Sequence, residues 1–280
     1  MSKVGLVLEG GGLRGIFTAG VVDCLLKNKI KFDYVIGVSA GACNTMAYVG
    51  NKYEFFKDCI LKTNKKDAFF GVSQMKDSHK IVDLDKVFEE YAIKYKFDFN
   101  EFKKNKIEWE MVTTNIRTGK PEYLSEKKDI ERIKSIGKAS CSLPLITKPV
   151  RLDNKLYLDG GIADSIPIER ALKQGCDKVV VVCTRRKNKH PHITEPEIPV
   201  YKSAYKKYPK FLNTIFEREE KYKETKSLID KLVEEGKVID ISPTLPEVGR
   251  LESDHDKLSL YYYHGYTKTL DKIKDIKSLF

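Results

Sequence analysis

Short apolar runs and helically spaced apolar residues alternate along the first part of the chain. The opening fifty residues predict a strand (Lys3 to Leu8), a helix (Ile16 to Asn28), a second strand (Asp33 to Val38) and another helix from about Ala40. A glycine-rich loop with few side chains separates the first strand from the first helix. The pattern therefore indicates a βαβ unit at the start of the chain.

The same alternation continues beyond this unit. The predicted helices cover Tyr53 to Thr63, Asp83 to Tyr95, Lys128 to Ala139 and the stretch between Pro167 and Gly175, and the predicted strands cover Ile107 to Asn115, Glu122 to Leu124, Thr147 to Leu152, Lys155 to Leu158 and Lys178 to Thr184. The last of these strands is an unbroken apolar run, which is typical of a strand covered on both faces. We therefore expect an α/β fold with a mainly parallel central sheet.

The end of the chain differs in composition from the beginning. It predicts a polar loop (Lys187 to Pro199), a Tyr- and Lys-rich helical region (Tyr201 to Glu235), a strand (Val238 to Ser242) and a helix from about Asp256. We expect a core over residues 1–190. Residues 191–280 would be an extension packed on it, helical with one strand.

Composition excludes several protein classes. The chain has 280 residues, of which 41% are hydrophobic, and these can fill one large core. No run of eighteen apolar residues exists, and the first apolar stretch is broken at Glu9, so we expect a cytoplasmic protein without a membrane span or leader. Six cysteines lack a CxxC pair, which argues against a zinc site and a disulfide framework.

The formal charge of +11 comes mostly from lysines spread along the chain. That distribution argues against specific nucleic-acid binding and favours at most peripheral contact with an anionic membrane surface. Tyr201 to Tyr208 and Phe211 to Phe216 could supply a basic, aromatic face for such contact. Packing of these aromatic residues against the core is the commoner arrangement and the one we expect.

The glycine loop reads EGGGLRG, from Glu9 to Gly15. Glycine allows backbone N–H groups to point into a cavity, so a loop of this kind binds negative charge. Gly10, Gly12 and Gly15 have the spacing of a dinucleotide-binding GxGxxG motif. The alternative anion is the oxyanion of an acyl-transfer reaction, which needs a nucleophile beside the loop.

A candidate nucleophile follows the second predicted strand. Gly37-Val-Ser39-Ala-Gly41 matches GxSxG, in which small flanking residues permit a sharp turn that exposes the serine hydroxyl. Neighbouring parallel strands end at one sheet edge, so Ser39 and the glycine loop should share a cavity. A nucleotide site instead needs a carboxylate at the end of this strand, whereas Asp33 lies at its beginning.

The candidate base is a carboxylate. None of the five histidines (His79, His190, His192, His255 and His264) stands in a turn motif. Asp159 follows a short strand and precedes Gly160 and Gly161, in a turn that exposes its side chain. A carboxylate with an ordinary pKa near 4 is a weak base for a hydroxyl, so it needs desolvation and alignment. The simpler interpretation of this segment is an Asp-Gly turn without chemistry.

The blocks EGGGLRG, GVSAG and LDGG, in this order, resemble the active-site motifs of the patatin-like phospholipases. The segment from Ala139 to Pro144 is similar to one that borders the active site in that family, and Val179 to Thr184 is similar to its next core strand. The resemblance covers roughly residues 3 to 185. The segments GIFTAGVVD and CTRR are most similar to sequences of the bacterial intracellular branch of this family.

The resemblance implies a three-layer α/β/α domain related to the cytosolic phospholipase A2 catalytic domain. It implies a lipid acyl hydrolase with Ser39 as nucleophile, Asp159 as base and no metal, cofactor or histidine. The expected substrate is a phospholipid or another acyl ester. The family motifs supply the oxyanion hole (Gly10, Gly11, Gly12) and the supporting residues Arg14, Gly15, Gly37, Gly41, Gly160, Gly161 and Pro144. Arg14 would steady the loop, meet an anionic headgroup or form an ordinary salt bridge.

The sequence is also compatible with two other functions. His255 or His264 follows Asp159 in the order of an α/β-hydrolase triad, although the nucleophile in that fold follows several earlier strands. An inactive lipid- or protein-binding module on the same fold is the third alternative. The intact state of all three motif blocks argues against it.

Overall fold

The computed structural model describes residues 2–63, 68–69 and 82–280. The strands are β1 (Val4–Leu8), β2 (Tyr34–Val38), β3 (Glu108–Asn115), β4 (Pro121–Leu124), β5 (Val150–Leu152), β6 (Lys155–Asp159), β7 (Lys178–Val182) and β8 (Val238–Ile241). The helices are α1 (Gly15–Lys27), α2 (Ala40–Val49), α3 (Phe55–Leu61), α4 (Tyr91–Lys94), α5 (Phe99–Lys104), α6 (Ile130–Ser140), α7 (Ile168–Lys173), α8 (Glu197–Ala204), α9 (Pro209–Glu234), α10 (His255–Asp271) and α11 (Ile273–Lys277).

The described strands form one mixed sheet in the order β5-β6-β3-β2-β1-β7-β8, with β4 also paired to β3. Strands β3, β2, β1, β7 and β8 are parallel, whereas β4, β5 and β6 join antiparallel. β8 lies beside β7, with Val238 opposite Val179. The end of the chain thus extends the sheet that the beginning of the chain starts.

Helices cover both faces of the sheet, as successive residues of β1 show. Leu6 and Leu8 belong to a core with α1, α2 and α10, whereas Val7 belongs to a second core with α7 and α9. Side chains alternate between faces along a strand, so a strand that is apolar throughout is buried on both sides. The predicted α/β fold with a mainly parallel sheet and helices on both sides is confirmed.

Helices α1 and α10 approach closely because each has a glycine at the contact. A Cβ atom on Gly20 would lie 2.0 Å from the carbonyl oxygen of Tyr262, and one on Gly265 would lie 2.0 Å from that of Phe17. The Tyr262 hydroxyl also donates a 2.9 Å hydrogen bond to Asp23. These contacts hold the end of the chain against the first helix.

Most predicted elements are present, and the region from Tyr201 to Glu235 is helical, as predicted, apart from one break. The chain forms two helices there, because Tyr205 ends the first and Pro209, which lacks an amide proton, begins the second. The first of them, α8, starts inside the predicted polar loop. Helix α5 was not predicted; Asp98 caps it by accepting hydrogen bonds from the amides of Asn100 and Glu101.

Aromatic residues between Tyr201 and Glu235 mostly pack inward, as expected, although Phe216 is exposed. Tyr205 and Phe211 are buried in a cluster with Ile116, Leu158, Ile162 and Ile215. All six cysteines are free and buried. Among the described residues, no helix has the length and apolar character needed to cross a bilayer.

Candidate active site

Ser39 occupies a strained turn between β2 and α2. Its φ and ψ are 55° and −121°, in a region that residues with a side chain rarely adopt. The residue is buried, and its amide donates a 2.9 Å hydrogen bond to Oγ of Ser140. Such strain persists only where the surroundings fix the backbone, and it is typical of functional sites.

Three glycines allow this turn to form. A Cβ atom on Gly37 would lie 2.3 Å from the carbonyl oxygen of Gly41, and one on Gly41 would lie 2.2 Å from that of Leu8. On α1, a Cβ atom on Gly15 would lie 2.6 Å from Cβ of Ala40. These glycines of the predicted motifs therefore let the first two strand–helix turns pack together.

The glycine loop lies beside Ser39. A Cβ atom on Gly10 would be 3.1 Å from Cβ of Ser39. Among the described residues, nothing accepts a hydrogen bond from the amides of Gly10, Gly11 or Gly12. The structure therefore places Gly10 in contact with Ser39, in a loop whose three glycine amides have no acceptor in the described part of the chain.

Residues on both sides hold the loop in place. Glu9 accepts hydrogen bonds from the Thr184 amide (2.5 Å) and the Tyr222 hydroxyl (2.9 Å). The Thr184 hydroxyl donates to the carbonyl oxygen of Gly10 (2.7 Å). The Leu13 amide donates to the carbonyl oxygen of Arg250 (3.0 Å). Tyr222 and Arg250 belong to the end of the chain, so that region supports the loop directly.

Asp159 ends β6, two strands away from β2 across β3. Its Oδ1 accepts a 2.7 Å hydrogen bond from the Gly161 amide, while its buried Oδ2 has no hydrogen-bond partner among the described residues. Gly160 fits tightly, because a Cβ atom there would lie 2.1 Å from the carbonyl oxygen of Val112. The predicted exposure of the Asp159 side chain is wrong, because the residue is buried among the groups packed on its turn, but one carboxylate oxygen is left without a partner in the described chain.

Burial raises the pKa of Asp159 above its usual range. Three neighbours lower this pKa and so offset part of the effect of burial: the Ser39 hydroxyl, the positive charge of Arg218 and the Gly161 amide. The carboxyl group is therefore a stronger base than an exposed aspartate, and its ionised form is favoured by neighbours that the fold supplies.

An apolar pocket extends from Ser39 between α2, α3 and α4. Its walls in the described chain are almost entirely apolar and include Leu13, Cys43, Met46, Phe55, Phe56, Ile60, Val87, Phe88, Tyr91 and Leu143. A pocket with this lining fits a hydrocarbon chain better than a polar substrate. Gly12, Ser39 and Arg250 also line it, whereas Gly10, Gly11 and Asp159 do not.

Arg14 does not form an ordinary salt bridge with a described residue. It is buried, its Nε atom has no hydrogen-bond partner there, and burial together with the charges of Arg185 and Arg250 lowers its pKa to about 10.

Pro144 is buried in the turn after α6 but does not line the pocket, which its neighbour Leu143 does. Its contribution is to the shape of that turn.

None of the described histidines lines the pocket at Ser39. His264 accepts a 2.9 Å hydrogen bond from the Thr244 amide, and His190 and His192 both face Glu219. His255 is exposed at the start of α10. The fifth, His79, lies outside the described residues.

The sequence did not predict two arginines that lie near the site. Arg218 on α9 lies beside Gly161, with its Nη2 atom 3.3 Å from the position of a Cβ there, and Arg250 lines the pocket that holds Ser39. Both lie in the region for which the sequence offered no recognisable motif. Isolated arginines among 51 basic residues carry no pattern that sets them apart.

The fold and this arrangement define an α/β protein with a serine at a strand–helix turn, facing a glycine loop and a buried carboxylate. Residues 6–172 match the family described as Patatin-like phospholipase, and residues 208–280 match the Domain of unknown function (DUF6363). The chain belongs to the patatin-like phospholipase family.

Several individual proteins resemble the chain. It is 32% identical over 188 residues to the uncharacterized protein YjjU of Escherichia coli (strain K12), covering 65% of this chain and 52% of YjjU. It is 28% identical over 189 residues to lysophospholipase nte1 of Aspergillus oryzae, covering 64% of this chain and 12% of that protein. The probable lipid hydrolase 463L of Invertebrate iridescent virus 6 is 26% identical over 188 residues, with 60% and 63% covered. The matches thus span about half of YjjU and a small part of the fungal enzyme.

The crystal structure of VipD from Legionella pneumophila has a similar fold. The TM-score is 0.53 at 17% sequence identity, and the match covers 98% of this chain and 67% of VipD. At this identity the likeness concerns the fold alone.

Proposed function

We propose that this protein hydrolyses acyl esters of lipids through an acyl-enzyme on Ser39. The observation that carries the proposal is the contact between the Ser39 turn and a loop whose three glycine amides are free. An alkoxide and an oxyanion formed at this point would both meet main-chain donors. Membership of the patatin-like phospholipase family and the likeness to a protein named lysophospholipase support the same activity.

In this mechanism Oγ of Ser39 attacks the carbonyl carbon of the ester, and Oδ2 of Asp159 takes the hydroxyl proton. The amides of Gly10, Gly11 and Gly12 bind the oxyanion. Collapse of the intermediate breaks the bond to the alcohol oxygen, which leaves with the proton from Asp159. Water then attacks the acyl-enzyme while Asp159 takes its proton, and Asp159 returns this proton to Oγ of Ser39 as the ester bond breaks and the fatty acid is released. The acyl chain lies in the apolar pocket.

A Ser–Asp pair fits the described residues better than a triad. The available Oδ2 of Asp159 is buried, while His264 is already bound to the Thr244 amide. An inactive binding module would not need a strained serine beside free amide donors. Replacing His255 and His264 together by Gln should leave hydrolysis unchanged, and a large loss in a folded double variant would favour the triad.

The nucleophile assignment is tested by labelling with a fluorophosphonate probe. We expect wild type and Ser253→Ala, which changes an exposed serine, to be labelled equally, and Ser39→Ala not to be labelled. Hydrolysis of a palmitoyl lysophospholipid should fall by at least about a thousandfold in Ser39→Ala. Equal labelling of all three proteins would show that Ser39 is not the nucleophile.

The charge of the chain suits peripheral contact with an anionic membrane, where such a substrate would be met. Six free thiols suit a reducing cytoplasm. Flotation with phosphatidylglycerol vesicles should recover more protein than flotation with phosphatidylcholine vesicles, and the difference should disappear in high salt. Equal recovery at low salt would argue against electrostatic contact.

A further inference from the structure

A second cavity lies next to the proposed active site and is formed largely by the end of the chain. It has a volume of about 390 Å³, within the range of small-molecule sites, and its wall continues from Ile162, which follows the Asp159 turn. Arg218 and Arg250 both line it. Arg250 also lines the apolar pocket, so the two cavities meet at this side chain.

The charge of Arg218 is offset only by carboxylates outside ion-pair distance in the described chain, chiefly Asp159. Arg218 is half-buried, and within the described part of the chain its guanidinium hydrogen-bonds only the Ser165 hydroxyl, at 3.4 Å from both Nε and Nη2. Among the described residues, no carboxylate forms an ion pair with Arg218 or Arg250. Burial and the charge of Arg250 lower the pKa of Arg218 to about 10, while the charge of Asp159 acts in the opposite direction. A desolvated cation without a counterion costs free energy that a bound anion would offset.

The carboxylates in the cavity wall have other partners. Glu219 accepts a 2.7 Å hydrogen bond from His192 and pairs with Lys223 at 2.8 Å. Glu197 accepts from both the amide and the hydroxyl of Thr194, each at 2.7 Å. Both acids therefore have hydrogen-bond or ion-pair partners other than the two arginines, although the charge of Arg250 adds to the Thr194 bonds in lowering the pKa of Glu197.

We propose that Arg218 and Arg250 form a phosphate-binding site that holds the headgroup phosphate of a glycerophospholipid substrate. Guanidinium groups bind phosphate oxygens through paired, charge-assisted hydrogen bonds. A lipid with its acyl chain in the apolar pocket and its ester at Ser39 would carry its phosphate past Arg250 into the second cavity. The inference rests on the proposed function for the orientation of the lipid. It gives the region matched to the domain of unknown function a role in substrate selection.

The test compares two substrates with the same acyl chain. Values of kcat/KM are measured at pH 8 for 1-palmitoyl-lysophosphatidylglycerol and for 1-palmitoylglycerol, which lacks the phosphate. Wild type should prefer the phosphate ester, and the ratio of the two values should fall about 10- to 100-fold in Arg218→Gln and Arg250→Gln. Arg151→Gln, which changes an exposed arginine on edge strand β5, should leave the ratio unchanged. An unchanged ratio in both test variants, or an equal loss on both substrates, would overturn the inference.

A binding experiment separates this inference from the proposed function. Dihexanoyl-phosphatidylglycerol below its critical micelle concentration is titrated calorimetrically into the Ser39→Ala protein, with and without Arg218→Gln and Arg250→Gln. Binding that is lost in the arginine variants supports the phosphate site even if wild type hydrolyses neither ester. Equal binding by all the variants, or no binding, overturns it. Inorganic phosphate is titrated in parallel: saturation at micromolar phosphate without lipid binding would assign the site to free phosphate and overturn the headgroup role.

Discussion

The backbone amide of Ser39 donates a 2.9 Å hydrogen bond to Oγ of Ser140, a residue 101 positions later in the chain. This bond joins the strained turn after β2 to the end of α6. Because Ser39 adopts a positive φ, its turn depends on such outside support. Ser140 is thus a positioning residue for the proposed nucleophile.

We therefore predict that Ser140→Ala lowers kcat by about 10- to 100-fold with little change in KM, since misplacement of a nucleophile affects the chemical step. Steady-state kinetics on a palmitoyl ester, with circular dichroism to check folding, measure this. Ser253→Ala is the control. A change confined to KM would mean that Ser140 contributes to binding instead.

Gly10 is predicted to tolerate no side chain. A Cβ atom there would lie 2.9 Å from the Val38 carbonyl oxygen and 3.1 Å from Cβ of Ser39, so alanine must displace the loop or the serine. Gly10→Ala should reduce hydrolysis by at least about a hundredfold. Gly249→Ala, whose nearest neighbour would be 3.7 Å away, should be almost neutral. Comparable activities of the two variants would contradict a role of this loop.

The apolar pocket is predicted to determine acyl-chain length. Met46 is buried in its wall, and Met46→Trp should shorten it. We expect kcat/KM for a palmitoyl ester to fall about 10-fold or more, while a butyryl ester is hydrolysed nearly as before. Leu260→Trp, at an exposed position on α10, is the matched control. Equal losses for long and short esters would place the acyl chain elsewhere.

The pKa of Asp159 predicts opposite effects of pH on activity and stability. The pKa is raised from 3.8 in the folded protein, so the folded state binds its proton more tightly than the unfolded state. Stability therefore declines as pH rises from about 4 through the raised pKa, and the penalty is fully present above it. Activity, which needs the ionised base, should increase over the same interval.

Asp159→Asn should remove this penalty together with the activity. We expect the variant to melt at a higher temperature than wild type at pH 8, by about 2–4 °C for each 1 kcal/mol gained, and the difference to diminish near pH 4. Calorimetry at the two pH values measures it. A variant that is less stable than wild type at pH 8 would show that the ionised carboxylate stabilises the fold.

Gly265 is predicted to be essential for docking of α10 on α1. A Cβ atom would lie 2.0 Å from the Phe17 carbonyl oxygen, and backbone cannot move aside as a flexible side chain can. Gly265→Ala should lower the free energy of unfolding by about 1–3 kcal/mol, measured in urea. Ser259→Ala on the same helix serves as control. No change in stability would mean that α10 packs loosely.

Local pattern accounts for much of the fold. The run from Lys178 to Val182 could only be a buried strand, and glycines at positions 37 and 41 fit a turn that larger residues would block. The helical region predicted after Tyr201 is present, but the sequence pattern did not show the break within it, because helical periodicity continues across Tyr205 to Tyr208. The break there depends on packing of Tyr205 and on Pro209.

The sequence alone determined the sites of the strained serine, the free amides and the acidic turn, because each depends on a few adjacent residues with special backbone geometry. The order of the strands, which places Asp159 across β3 from Ser39, was decided by tertiary pairing. So were the positions of Arg218 and Arg250, since a charge on a distant helix acquires meaning only through the groups that folding brings beside it.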